Sequence, residues 1–100
     1  MIGNAYAELD RPDLAIDAYE ETIEIAARVE SRDALASAWY NLGNMHYRLG
    51  AWDDAIAAYR EALRVRRGHA AALHWLTEAG RRAAGEAAPE DSEPPPAEVP

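Results

Sequence analysis

The side chains with the most potential for chemistry are three histidines and a pair of aspartates. His69 and His74 lie five residues apart, a spacing that does not place both on one face of a helix, and His46 is far from them in the chain. Asp53 and Asp54 could form a carboxylate pair, but they stand where a helix is predicted to begin, and acids there interact favourably with the helix dipole. No zinc-protease, phosphate-loop or serine-hydrolase motif accompanies them. The sequence therefore predicts no catalytic residue, no metal site and no cofactor, with His46 as a core-packing residue.

The arginines supply one further candidate. Arg60, Arg64 and Arg67 recur at positions i, i+4 and i+7, which places three cations on one face of a predicted helix. Such a face could bind an anion or an acidic partner. The same pattern is typical of a solvated outer face near a helix C-terminus, and we expect the latter.

The charge balance and the lack of cysteine exclude several classes of function. All 10 basic residues are arginines, against 18 acids, and the resulting net charge of −8 argues against non-specific nucleic-acid binding. Without cysteine there is no disulfide framework, thiolate zinc site or cysteine nucleophile. No apolar run approaches the roughly 18 residues that a membrane span needs, and the N-terminus lacks the basic region of a signal peptide. We expect a cytoplasmic protein with neither a membrane nor a nucleic-acid partner.

Composition divides the chain near residue 84. Residues 85–100 contain five acids, five of the six prolines and no basic residue. Such a segment has too little apolar surface to offset the entropy of ordering it, and its prolines favour extended polyproline stretches. We expect a helical domain over residues 1–84 and a disordered, acidic, Pro-rich tail over residues 85–100.

Apolar spacing and turn residues predict five helices. Apolar side chains recur at three- and four-residue steps between segments that contain proline, serine or glycine. The predicted helices span residues 2–9, 13–30, 32–49, 52–67 and 70–84. Ser31 is expected to cap the third helix, Gly50 to end it and Gly68 to end the fourth. Period-two alternation is missing, so the predicted fold class is all-α.

An internal repeat runs through these helices. A shift of 40 residues aligns residues 2–25 with residues 42–65, and nine of the 24 aligned pairs are identical. Gly43, Ala55 and Tyr59 are among the residues that recur in this register. The chain therefore divides into a repeat over residues 1–31, a repeat over 32–69 and a terminal helix over 70–84.

The second repeat resembles the tetratricopeptide repeat signature. The matching residues are Trp39, Leu42, Gly43, His46, Ala55, Tyr59 and Ala62. The resemblance implies an array of antiparallel helix hairpins that winds into a right-handed superhelix. His46 stands where the family usually has tyrosine and Arg67 where it usually has proline. The period of 40 exceeds the usual 34 or so and is similar to that of the long-helix subclass seen in kinesin light chains.

The same resemblance implies a non-enzymatic scaffold or adaptor that binds a protein or peptide in a concave groove lined by the first helix of each hairpin. The candidate partner-binding residues are Asn4, Ser37, Tyr40, Asn41, Asn44, Tyr47, Arg48, His74 and Trp75. We expect Trp75 to lie off the packing stripe formed by Leu73 and Leu76. Clamping of acidic chaperone C-termini is not expected, because Ala71 and Trp75 stand where that binding mode needs cations.

Two alternative functions remain open. The array is short, so the chain could be a self-assembly module that dimerises through its N-terminal hairpin, where Leu14, Ile16 and Ile23 lack cover. It could also be a regulatory piece of a larger regulator. A monomeric mass in solution would argue against the first alternative, and an additional catalytic or DNA-binding domain would favour the second.

Overall fold

The helices form an array in which each one packs on the next. The structure is a computed structural model that describes residues 11–85, with the side chain of Pro12 excepted. Its helices are α1 (Pro12–Arg28), α2 (Arg32–Arg48), α3 (Trp52–Val65) and α4 (Ala70–Ala83). The described residues contain no strand, so the all-α prediction is confirmed. The helix predicted over residues 2–9 and the tail beyond Gly85 lie outside the described residues.

Short connections determine which helices are neighbours. Loops of three or four residues join consecutive helices, and such loops favour antiparallel packing of the helices they connect. α1 packs on α2, α2 on α3 and α3 on α4, while α2 also touches α4. α2 therefore has neighbours on three sides, and most of its second half is buried.

The ends of α1 and α2 are closed by the same backbone motif. After α2, Gly50 adopts a φ of 74°, and the amide of Ala51 donates a 2.9 Å hydrogen bond back into the last turn. After α1, Glu30 adopts a φ of 54°, and the amide of Ser31 donates a similar bond of 3.0 Å. This is the Schellman motif, whose residue of positive φ is usually glycine. The predicted end of α2 at Gly50 is confirmed.

The predicted start of α2 is confirmed in position, whereas the predicted end of α3 is wrong. Ser31 occupies the N-cap of α2 as expected, although its side chain makes no capping hydrogen bond. α3 ends at Val65 because Arg66 adopts an extended conformation, with φ −137° and ψ 93°. Arg67 therefore does not share a helical face with the exposed Arg60 and Arg64.

Two apolar clusters fill the interfaces between the helices. The first joins α1, α2 and α3 and consists of Ala15, Tyr19, Leu42, Met45 and Ala58. The second joins α2, α3 and α4 and consists of Tyr40, Tyr47, Ala55, Tyr59, Ala62, Ala72 and Ala79. Half-buried Trp39 packs against both clusters. Two pairs of residues related by the internal repeat, Ala15 with Ala55 and Tyr19 with Tyr59, are all fully buried. The repeat in the sequence is thus a repeat of core positions.

α2 and α3 are in close contact where Gly43 of α2 meets the ring of Tyr59 of α3. A Cβ atom built on Gly43 would lie 2.6 Å from Cε1 and 2.7 Å from Cδ1 of the Tyr59 ring. The ring has no exposed surface, and its hydroxyl donates a 2.7 Å hydrogen bond to Oδ1 of Asn44. The ring therefore cannot swing aside, and any side chain at position 43 would force α2 and α3 apart.

This contact gives a prediction with a control in the same chain. Replacing Gly43 by alanine should lower the free energy of unfolding by about 1–3 kcal/mol, because overpacking outweighs the roughly 1 kcal/mol by which alanine favours a helix interior. Gly80 lies in α4 with no atom within 4 Å of an added Cβ, so Gly80→Ala should raise that free energy by about 0.5 kcal/mol. Urea denaturation of the two variants measures both effects. If both variants changed the free energy of unfolding in the same direction, the contact of Gly43 with Tyr59 would not control the packing of α2 on α3.

Candidate functional site

Three aromatic side chains from three helices meet at one end of the array. The ring centroid of Tyr47 lies 5.0 Å from Trp52 and 5.5 Å from Trp75, and both pairs are edge-on. The three-residue loop between α2 and α3 brings Trp52 next to Tyr47, and α4 supplies Trp75. Edge-to-face pairs of this kind add about 0.5–1.5 kcal/mol to simple burial. These three residues are called the aromatic cluster below.

A pocket with two cationic side chains adjoins the aromatic cluster. The guanidinium carbon of Arg82 lies 5.7 Å from the centre of the Trp52 ring, within the range of a cation–π interaction. The pocket, called the basic pocket below, has a volume of about 330 Å³ and is lined by Tyr47, Arg48, Leu49, Gly50, Trp52 and Arg82. Arg48 is exposed and Arg82 half-buried. The pocket therefore combines aromatic walls with positive charge.

Arg82 forms no ion pair with a carboxylate of the described residues. Its Nε atom is buried and has no hydrogen-bond partner, and the described ion pairs do not include it. The adjacent Arg81, by contrast, pairs with Glu78 at 3.4 Å. A guanidinium that rests on an aromatic ring without a carboxylate partner is well suited to bind an anion.

A second pocket shares Gly50 and Trp52 with the basic pocket. It has a volume of about 440 Å³ and is lined by Gly50, Ala51, Trp52, Asp53, Asp54 and Ala83. Both aspartates are in the first turn of α3, where the helix dipole favours negative charge. This acidic pocket and the basic pocket thus have Trp52 as a common lining residue.

The residues predicted to bind a partner lie in different environments. Tyr47, Arg48 and Trp75 belong to the aromatic cluster or the basic pocket. His74 is exposed, and its ring packs edge-on against Trp75 at 4.7 Å. Asn4 lies outside the described residues. The remaining four, Ser37, Tyr40, Asn41 and Asn44, are interior residues of α2.

The sequence suggested that these four side chains are accessible to a partner, but in the structure they are buried. Tyr40 is 2% exposed and Asn41 and Asn44 are 0% exposed. The Tyr40 ring packs at 4.7 Å from His69 and 5.9 Å from Tyr59. They are buried because α2 has neighbouring helices on three sides. In this structure they are packing residues, and contact with a partner stays a prediction for them.

α4 packs on the core with a different face from the one predicted. Leu73 is 57% exposed, whereas Ala72 and Ala79 are fully buried. Trp75, predicted to lie off the stripe, packs against the core between these two alanines, and Leu76 is half-buried beside it. The small alanines allow α4 to lie close to α3, which turns Leu73 outward. The prediction for Leu73 and Trp75 is therefore wrong.

Sequence reasoning missed Trp52, Glu78 and Arg82. Trp75, Glu78 and Arg82 recur at i, i+3 and i+7, so their shared helical face was recognisable from spacing. Trp52 follows the helix-ending Gly50 by two residues, which predicts its position next to the end of the preceding helix. The stripe through Leu73 and Leu76 that was predicted for α4 does not include Glu78 and Arg82.

The histidines have structural environments. Nδ1 of His69 accepts a 3.1 Å hydrogen bond from the amide of Ala72 and caps α4. His46 is half-buried beside Trp39 and Leu42. Within the described part of the chain, no group of three or more histidine, aspartate or glutamate side chains is arranged to hold a metal ion. Over the same residues, no helix is long and apolar enough to cross a membrane.

One comparison with known proteins identifies a family. A family model described as tetratricopeptide repeat matches residues 1–68. The match includes α1, α2 and α3 and ends before α4 begins. It therefore covers both segments that the 40-residue repeat aligns.

Two buried tyrosines at this site give a prediction. Burial raises the pKa of the Tyr59 hydroxyl, so this group stays protonated and donates to Asn44. Tyr59→Phe should lower the free energy of unfolding by about 1–3 kcal/mol, because a buried acceptor loses its donor. The Tyr47 hydroxyl is buried without a partner, so Tyr47→Phe should be neutral or stabilising by up to about 1 kcal/mol. Thermal and urea unfolding check both values, and equal losses for the two variants would contradict the hydrogen-bond assignment.

Proposed function

Because this chain belongs to the tetratricopeptide repeat family, whose members are generally protein–protein interaction modules, we propose that it is a non-enzymatic cytoplasmic adaptor that binds a peptide or a helix of a partner protein. The proposal rests on one observation above the others. The aromatic cluster and the guanidinium of Arg82 lie together around the basic pocket. Arrays of stacked repeats present extended concave surfaces on which partners bind.

The chemistry of the pocket suggests what the partner offers. Tryptophan, tyrosine and arginine are the residues most enriched among those that dominate interface energetics. A pocket of about 330 Å³ is at the small end for ligand pockets, which suits one or two side chains of a partner. We propose that the partner places an apolar side chain against Trp52 and a carboxylate near Arg48 and Arg82.

The proposed contact surface differs from the groove inferred from sequence. The proposed set of contact residues keeps Arg48, His74 and Trp75 from the sequence prediction. It adds Trp52 and Arg82, because all five side chains are exposed or half-buried. The interior residues of α2 then act indirectly, by positioning the helices that carry the contact residues. This division resembles an interface in which a few anchors dominate and the surrounding structure supports them.

Replacing the pocket cations tests the proposal. A partner can be cross-linked to the full chain in cells and identified by mass spectrometry. It should bind the Arg48→Gln/Arg82→Gln variant at least tenfold more weakly, which is a loss of about 1.4 kcal/mol of binding free energy. The matched control is Arg60→Gln/Arg64→Gln, which removes two exposed cations from α3 and should bind normally. Isothermal titration calorimetry measures the affinities, and circular dichroism should show the same helicity for all variants. If only the control variant bound the partner more weakly, the proposal would be wrong and the binding surface would lie on α3.

A second candidate function is self-assembly, which the exposed end of α1 favours. Ile25 is 52% and Val29 is 67% exposed, and they lie one helical turn apart. Two copies that pair through this part of the N-terminal hairpin would cover both side chains, and such burial gains about 25 cal/mol for each Å² of apolar surface.

Sedimentation analysis distinguishes this candidate from the first. Self-assembly predicts a dimer whose fraction rises with concentration and which Ile25→Gln/Val29→Gln abolishes. Leu73→Gln is the matched control, because Leu73 is 57% exposed on α4 and its loss should leave the dimer intact. A monomer at high micromolar concentration would exclude self-assembly through α1.

A further inference from the structure

The chain continues past α4 directly beside the basic pocket. Arg82 lines the basic pocket, and the next residue, Ala83, lines the acidic pocket, which also includes Trp52. Gly85 follows with a φ of 86°, a conformation that turns a chain away from the helix axis. Residues 86–100 therefore begin three residues after Ala83, which lines a pocket together with Trp52.

The composition of residues 86–100 complements the basic pocket. The segment holds five acids and no basic residue, and it includes three consecutive prolines at positions 94–96. Aromatic grooves bind proline-rich segments in the polyproline II conformation, and arginine is well suited to bind carboxylates. The basic pocket offers both chemistries, with Trp52 for prolines and Arg48 and Arg82 for acids.

We propose that the basic pocket binds an acidic, proline-rich strand and that the strand is residues 86–100 of this same chain. The inference does not depend on the partner-binding role proposed above, because the ligand is part of the molecule. The 15 residues of the segment can span about 50 Å when extended, so every part of the pocket is within reach. A tether of this length gives an effective concentration in the millimolar range, so a contact of low intrinsic affinity is sufficient.

Charge also sets the direction in which the strand leaves α4. Asp53 and Asp54 line the acidic pocket and repel the acids of the segment. Arg82 lies over the Trp52 ring, lines the basic pocket and has no carboxylate partner in the described residues. The carboxylates of the segment therefore belong on the side of Arg48 and Arg82, with the prolines against the indole.

When residues 86–100 occupy the basic pocket, they compete with any partner protein for the same binding site. A partner that uses Arg48, Trp52 and Arg82 must displace residues 86–100 before it binds.

Paramagnetic relaxation in the full chain tests the proposal. The sequence has no cysteine and three tryptophans, so Ala97→Cys provides a single attachment site for a nitroxide and each indole N–H is a reporter. We expect the Trp52 signal to lose at least twice as much intensity as the Trp39 signal, since Trp39 lines a separate pocket with Leu42 and His46. Mixing isotope-labelled chains with spin-labelled, unlabelled chains should cause no loss, because the contact is within one molecule.

Two further variants of the spin-labelled chain separate docking from mere tethering. Neutralising the segment by Glu90→Gln, Asp91→Asn and Glu93→Gln should remove the selective loss at Trp52, and so should Arg48→Gln/Arg82→Gln in the pocket. Arg60→Gln/Arg64→Gln should leave it unchanged. A selective loss that survives neutralisation would overturn the proposal, as would a larger loss at Trp39, which would place the segment near Arg60. Intensity loss in the mixed sample would also overturn the proposal, because it would show that the pocket binds residues 86–100 of a second copy of the chain.

Discussion

The ring of Tyr59 against the backbone of Gly43 is the contact on which the rest of the structure depends. It brings α3 as close to α2 as a residue without a side chain permits. The hydrogen bond from Tyr59 to Asn44 holds the ring in that position. Because α3 is fixed in this way, the loop that ends at Ala51 places Trp52 beside Tyr47, and α4 packs on α3 with Trp75 against the same ring. The aromatic cluster is thus a consequence of the packing at position 43.

Burial divides the side chains of α2 into two classes. Tyr40 and Asn44 are interior and hold neighbouring helices in place. Arg48, at the end of the helix, is exposed and lines the basic pocket. Interactions with a partner or with residues 86–100 therefore fall at the end of the array, where α2, α3 and α4 present charge and aromatic surface together.

Much of the fold was predictable because its signals are local. Apolar spacing with glycine and proline located α1 to α4 to within two residues at each end, and the 40-residue repeat identified core positions such as Tyr59. The resemblance to the tetratricopeptide family is confirmed by the match over residues 1–68.

The candidate site was less predictable, because it depends on several helices at once. Whether Tyr40 is open or buried is decided by the helices on either side of α2, which no local pattern reveals. The rotation of α4 follows from the fit of Ala72 and Ala79 against α3, not from its leucines. The position of Arg82 over Trp52 joins residues that are distant in the sequence. Sequence reasoning therefore found Tyr47 and Arg48 but not the pocket that they line with Trp52 and Arg82.

One aromatic NOESY spectrum of the full chain tests the central claim most directly. The chain contains five tyrosines, three tryptophans and no phenylalanine, so the aromatic region is simple to assign. The structure predicts cross-peaks from the Tyr59 ring to the Hα protons of Gly43. It also predicts, in the same spectrum, cross-peaks from the Tyr47 ring to the indoles of Trp52 and Trp75. Cross-peaks to Gly43 without those between Tyr47 and the indoles would contradict the claim that packing at Gly43 assembles the aromatic cluster.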